Sequence, residues 1–131
     1  MEDFVSFEIA KKLKEKGFSL KKTEIYGKFD SDGLFHPQLY FNYIETMDYD
    51  EIDAPTISQV LKWLRKEKHL HIELVAAAYG YNYIVSQTPE DGGTDYYSSV
   101  WEYAGPNDGG AWDSDEQAAL SAIEYVLNNL I

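Results

Sequence analysis

Between Ala54 and Gln87 the hydrophobic period changes once, from the 3.6 of a helix to the 2 of a strand, so a helix there must feed directly into a hairpin. Ile57, Val60, Leu61 and Leu64 fall at i, i+3, i+4 and i+7, one buried helical stripe. Thr56 is placed to accept from a free N–H of the first turn. Gln59 is placed to reach back to the Thr56 N–H, completing a capping box. Pro55 keeps Ala54 out of the helical region and sharpens that boundary. Lys62, Arg65 and Lys66 occupy the opposite side, and Trp63 sits at the edge of the stripe, expected to pack against the next element. From His69 the pattern alternates. Leu70, Ile72, Leu74 and Ala76 face one way, and His69, His71, Glu73 and Val75 the other. Gly80 interrupts the run, Tyr83, Ile84 and Val85 resume it, and a hairpin turning around Ala78–Gly80 follows.

Upstream, Ser6 caps a first helix whose stripe is Ile9, Ala10 and Leu13. Gly17 stands at its C′ position, with Phe18 placed to fold back on the last turn. Segments 24–29 and 39–45 are expected strands, joined by the turn-rich DSDGLFHP and followed by an acidic loop over 46–54. Downstream, 88–95 and 105–110 read as loops and 96–103 as a strand. Ser114 with Gln117 is expected to box the start of a last helix, whose apolar face is Ala119, Leu120, Ile123, Val126, Leu127 and Leu130. The order α-β-β-α-β-β-β-α predicts one α+β domain, an antiparallel sheet packed by helices. A chain of 131 residues is long enough to bury such a core unaided.

Charge is divided unevenly along the chain. Its net charge is −12, yet residues 1–28 carry seven Lys against five acids and residues 56–73 four cations against two acids. Residues 29–55 hold seven acids, residues 74–131 hold nine, and neither has a Lys or Arg. The lysines of the first helix are read as a solvated face that complements the helix dipole, in preference to a basic docking site. With no cysteine, thiolate metal sites, disulfides and cysteine nucleophiles are excluded. The first residues lack a basic start and apolar run, and no apolar stretch approaches about 20 residues, so neither a signal peptide nor a membrane span is expected. A cytoplasmic location follows as the expectation.

Few patterns carry chemistry. Asp48, Asp50 and Asp53 resemble a cation loop, but an EF-hand needs Gly and Glu where this chain has Asp53 and Gln59. Asp30-x-Asp32-Gly33 is only a fragment of such a loop. His69 and His71 with Glu73 share an expected strand face and make a candidate metal set, two imidazoles and a carboxylate with an open position. No phosphate-binding loop, dinucleotide fingerprint, nucleophile elbow or HExxH is present, and no cofactor is expected. Residues 56–130 share the α-β-β-β-α order of double-stranded RNA-binding domains. However, their last helix opens with Asp113, Asp115 and Glu116, which argues against direct nucleic-acid binding. Eleven tyrosines and three tryptophans are many for this length. Tyr96, Tyr97, Trp101 and Tyr103, bordered by acidic loops, form a candidate contact surface.

The pattern APT-x5-KWLR-x5-HIEL over 54–74, the tyrosines at 81–83 and the A-L-x-A-x-x-Y-x-L helix near the end resemble a family of small proteins of gut bacteria and their prophages. The likeness covers about the last three-fifths of the chain. It implies a mobile-element accessory role acting on host machinery, and it carries no catalytic residue across.

Together these features favour a non-enzymatic acidic module that binds another protein. In its sharper form, the carboxylates of 46–54, 88–95 and 107–116 mimic nucleic-acid phosphates toward a basic partner. The alternative is a metal-dependent hydrolase or small-ligand enzyme on His69, His71 and Glu73. Self-association through the tyrosine-rich sheet is the third reading.

Overall fold

The computed structural model describes residues 3–37, 51–87 and 105–131, together with the backbone of 98–102. Helix α1 (Phe7–Glu15) begins where the Ser6 hydroxyl accepts from the Ile9 N–H at 3.3 Å. It ends in a Schellman motif. Gly17 takes φ +89°, its N–H donates to the Lys14 carbonyl, and the Phe18 N–H donates to the Leu13 carbonyl at 3.0 Å. This turn carries Phe18 back into the core. A single 3₁₀ turn (Lys22–Glu24) leads to β1 (Gly27–Phe29), so the strand expected over 24–29 is realised only in its second half.

A first antiparallel sheet has the order β2-β1-β3, with β2 at Phe35–Pro37 and β3 at Ile52–Asp53. Both edge strands fall in segments expected to be a linker or loop. Short pairings of two or three residues leave no period for sequence reading to detect. The β1–β2 turn is organised by Asp30, whose carboxylate accepts from the N–H groups of Asp32 and Leu34 at 2.9 and 3.0 Å. The Asp30-x-Asp32-Gly33 fragment is therefore a turn motif. The strand expected at 39–45 lies outside the described residues.

Helix α2 (Ile57–Glu67) forms as its sequence dictates. Thr56 Oγ1 accepts from the Gln59 N–H at 3.2 Å, and Gln59 Oε1 accepts from the Thr56 N–H at 2.9 Å, closing the box. Ile57, Val60 and Leu64 are wholly buried, with Leu61 half-buried beside them. The second sheet follows as a meander, β4 (Leu70–Ala77), β5 (Gly80–Gln87) and β6 (Ser98–Glu102), all antiparallel. Ala77 pairs with Gly80, leaving Ala78 and Tyr79 as the turn that the break at Gly80 predicts.

Helix α3 (Asp115–Asn129) is capped by Ser114, whose hydroxyl accepts from the Gln117 N–H at 3.1 Å, the forward half of the expected box. Its buried face is Ala118, Ala119, Ala122, Ile123, Val126 and Leu127. The expected face is thus rotated toward two further alanines, which let the helix lie close on β4 and β5. Leu120 is only half-buried and Leu130, at the C-cap, is exposed. Leu70, Ile72, Tyr83 and Val85 of the meander join Leu13 of α1, Phe29 of β1, Leu64 of α2 and Ile123 of α3 in one core cluster. The α+β class and antiparallel pairing stand as expected, but the strands divide between two sheets instead of forming one.

Candidate functional site

A broad groove of about 520 Å³ lies between the segment following α1 and the outer face of α2. The Schellman turn and the Gln59 side chain build it. Phe18 folds under α2 and meets the Trp63 indole edge-on, with ring centroids 5.2 Å apart. Gln59 Nε2 donates to the Glu24 carbonyl at 2.6 Å, pinning the 3₁₀ turn against the helix start. Tyr26, 49% exposed, stands at the rim. Trp63 thus packs against Phe18, which precedes it in the chain, and its ring also receives the Lys68 ammonium 5.4 Å from its centroid.

Lys21, Lys62 and Lys66 line this groove, all exposed. None of the three ammonium groups makes an ion pair among the described residues. Two acids share the lining, Glu67 and Glu24, the latter accepting from the Lys21 backbone N–H at 2.9 Å, so cations outnumber carboxylates there by three to two. The result is a cationic, ring-lined concavity on a chain of net charge −12. Reading the sequence alone misses it because its members come from two segments about 40 residues apart, and nothing local to either predicts their approach. The available signal was Trp63 lying beside Lys62 at the edge of the apolar stripe of an amphipathic helix.

Three lysines elsewhere, Lys11, Lys12 and Lys28, contact carboxylates. Lys12 of α1 reaches Glu124 at 3.9 Å and the Asn128 side-chain oxygen at 3.2 Å, both on α3. Lys11 lies 3.9 Å from Glu8 and over the Phe7 ring. Lys28 meets Asp53 at 3.9 Å. Burial raises the Asp53 carboxyl, partly offset by the attraction of Lys28 and Lys14, so Asp53 belongs to a local ion pair between β1 and β3. The strict division between cationic helices and an anionic remainder, suggested by the sequence, is broken at these contacts.

At the start of α3, Asp113 accepts from the Asn107 amide at 2.7 Å. Asp115 and Glu116 share a side-chain hydrogen bond that holds Asp115 below its ordinary value and Glu116 above it, Asp115 and Asp3 adding repulsion on Glu116. Asp48, Asp50, Tyr96, Tyr97 and Tyr103 lie outside the described residues, and Trp101 is placed by its backbone, on β6 opposite Ile84.

The candidate metal set does not assemble. His69 has φ +56° and follows the α2 C-cap, so it precedes β4 and does not take part in its alternation. His71 and Glu73 pair with Ser86 and Ile84. Among the described residues no three His, Asp or Glu side chains are grouped to hold a metal ion. No helix among them is long and apolar enough to cross a membrane.

Comparison of the chain with protein-family models, with curated proteins and with solved structures finds no match.

Proposed function

We propose that this chain is a non-enzymatic protein-interaction module whose docking face is the groove between residues 18–26 and α2. One observation carries the reading: three lysines without carboxylate partners among the described residues share a groove with Phe18, Tyr26 and Trp63 on a chain of net charge −12. Aromatic rings with desolvatable rims are the composition of interface centres. Local cations on an anionic body give a docking partner a defined orientation. A mobile-element accessory role belongs to the same reading and rests on the resemblance of the 54–130 segment; a cytoplasmic location is proposed with it on separate grounds. The test is capture from bacterial lysate by the immobilised full chain, with a Lys62→Glu/Lys66→Glu double variant alongside. A defined set of proteins retained by the parent and lost by the variant is the expected result. Identical sets would remove the proposal.

A second reading places a basic partner on the acidic start of α3, as a nucleic-acid mimic would. It is favoured by Asp115 and Glu116 opening α3 side by side, where their shared hydrogen bond first, and the repulsion from Asp115 and Asp3 after it, raises the Glu116 carboxyl. Oligolysine binding that weakens in salt and is lost in Asp115→Asn/Glu116→Gln is expected on this reading. Binding that ignores both would dismiss it.

A further inference from the structure

We infer that the groove accepts a short acidic segment of a partner protein, its carboxylates meeting Lys21, Lys62 and Lys66 and an apolar side chain seated between Tyr26 and Trp63. The inference rests on the docking reading above and names the chemistry of the occupant. The volume of about 520 Å³ lies within the range of about 300–1,000 Å³ typical of ligand pockets, so it suits a few residues in an extended or turn conformation. Phe18 is buried beneath Trp63 and supplies a fixed floor, while the exposed ring of Tyr26 offers an apolar body with a polar tip.

Charge selects among occupants. Three lysines against two glutamates, Glu24 and Glu67, leave the groove locally positive on a chain of net charge −12. A long polyanion would extend beyond it onto a body of net charge −12, and affinity for nucleic acid grows with the number of phosphates neutralised. A peptide with its carboxylates concentrated over a few residues gains the local attraction and avoids the surrounding repulsion. A second copy of this chain brings acidic segments too, but with them another −12 of charge.

The experiment displays random dodecapeptides to the immobilised full chain and measures the enriched sequences by fluorescence anisotropy. Enrichment of clustered Asp and Glu beside an aromatic or aliphatic residue is expected. Affinity should fall at least about tenfold in Lys62→Glu/Lys66→Glu, by a smaller factor in Lys62→Gln/Lys66→Gln, and on raising the salt. Both pairs lie on an exposed helix face, and their far-ultraviolet circular dichroism should match the parent. Enriched peptides without carboxylates, no enrichment, or equal affinity for the charge-reversed variant would overturn the inference. So would tighter binding of an oligothymidylate, or a concentration-dependent dimer abolished by the same variant, which would assign the groove to nucleic acid or to a second copy. Groove-dependent lysate capture with non-acidic display peptides would leave the docking reading intact and remove only this one.

Discussion

The Phe18 ring meets the Trp63 indole edge-on, centroids 5.2 Å apart and planes 81° apart, and joins the end of α1 to the outer side of α2. Edge-to-face pairs contribute about 0.5–1.5 kcal/mol beyond their burial. Phe18→Ala, which also empties a buried site, is expected to cost about 3–5 kcal/mol. A cycle of Phe18→Leu, Trp63→Leu and the double variant in urea should return a coupling of about 0.5–1.5 kcal/mol. Strict additivity would mean that the rings do not support each other.

Gln59 holds two structures at once. Its amide oxygen accepts from the Thr56 N–H and its amide nitrogen donates to the Glu24 carbonyl. Thr56→Ala removes a cap and should cost about 1 kcal/mol. Gln59→Ala also frees the 3₁₀ turn, and about 1–3 kcal/mol is expected from the lost bonds. Amide exchange in residues 21–26 should rise in Gln59→Ala and stay unchanged in Thr56→Ala. Equal exchange in the two variants would contradict the bridging role.

Gly80 faces a double constraint. Its φ is +138°, and a Cβ there would lie 2.0 Å from the Trp112 carbonyl oxygen. That carbonyl accepts from the Tyr81 N–H at 2.8 Å, so the backbone cannot withdraw without losing the bridge. Gly17, at φ +89°, has open space around it. Gly17→Ala should therefore cost only the left-handed backbone term, about 1–2 kcal/mol. Gly80→Ala should cost more, with the larger drop in urea midpoint. The reverse ranking would refute the steric account.

Asp30 predicts a pH response. The hydrogen bond from His36, at 2.8 Å, and then those from the Leu34 and Asp32 N–H groups hold its carboxyl below the ordinary range. A carboxylate depressed in the folded state stabilises it at all pH above the unfolded value, and that contribution is lost as pH falls through the folded one. Carboxyl NMR titration should place the Asp30 midpoint below the ordinary aspartate range, and His36→Ala should move it upward. A midpoint unmoved by His36→Ala would show that the backbone donors alone account for the depression.

Elements with a long period or a local cap were legible in the sequence. The α2 box, the Gly17 turn and the turn joining β4 to β5 each depend on residues within six positions of one another, and each formed. The face of α3 was legible only in part, because alanine is compatible with either side of a helix and only the approach of β4 and β5 decides which alanines are covered. His69 shows the opposite failure. Alternation placed it on a strand, but the helix needs a left-handed residue beyond its C-cap, and that local demand took His69 out of register with His71.

By itself, the sequence determined the α+β class, the capped helices, the hairpin and the uneven distribution of charge, since periodicity and capping are properties of neighbours along the chain. Only the tertiary structure decided that the described strands form two sheets, that Lys12 and Lys28 are drawn to carboxylates from distant segments, and that Lys21, Lys62 and Lys66 share a groove with aromatic rings. The physical reason is that these contacts are set by how the helices and strands pack on a shared core, and side-chain packing leaves no periodic mark in the chain that supplies it.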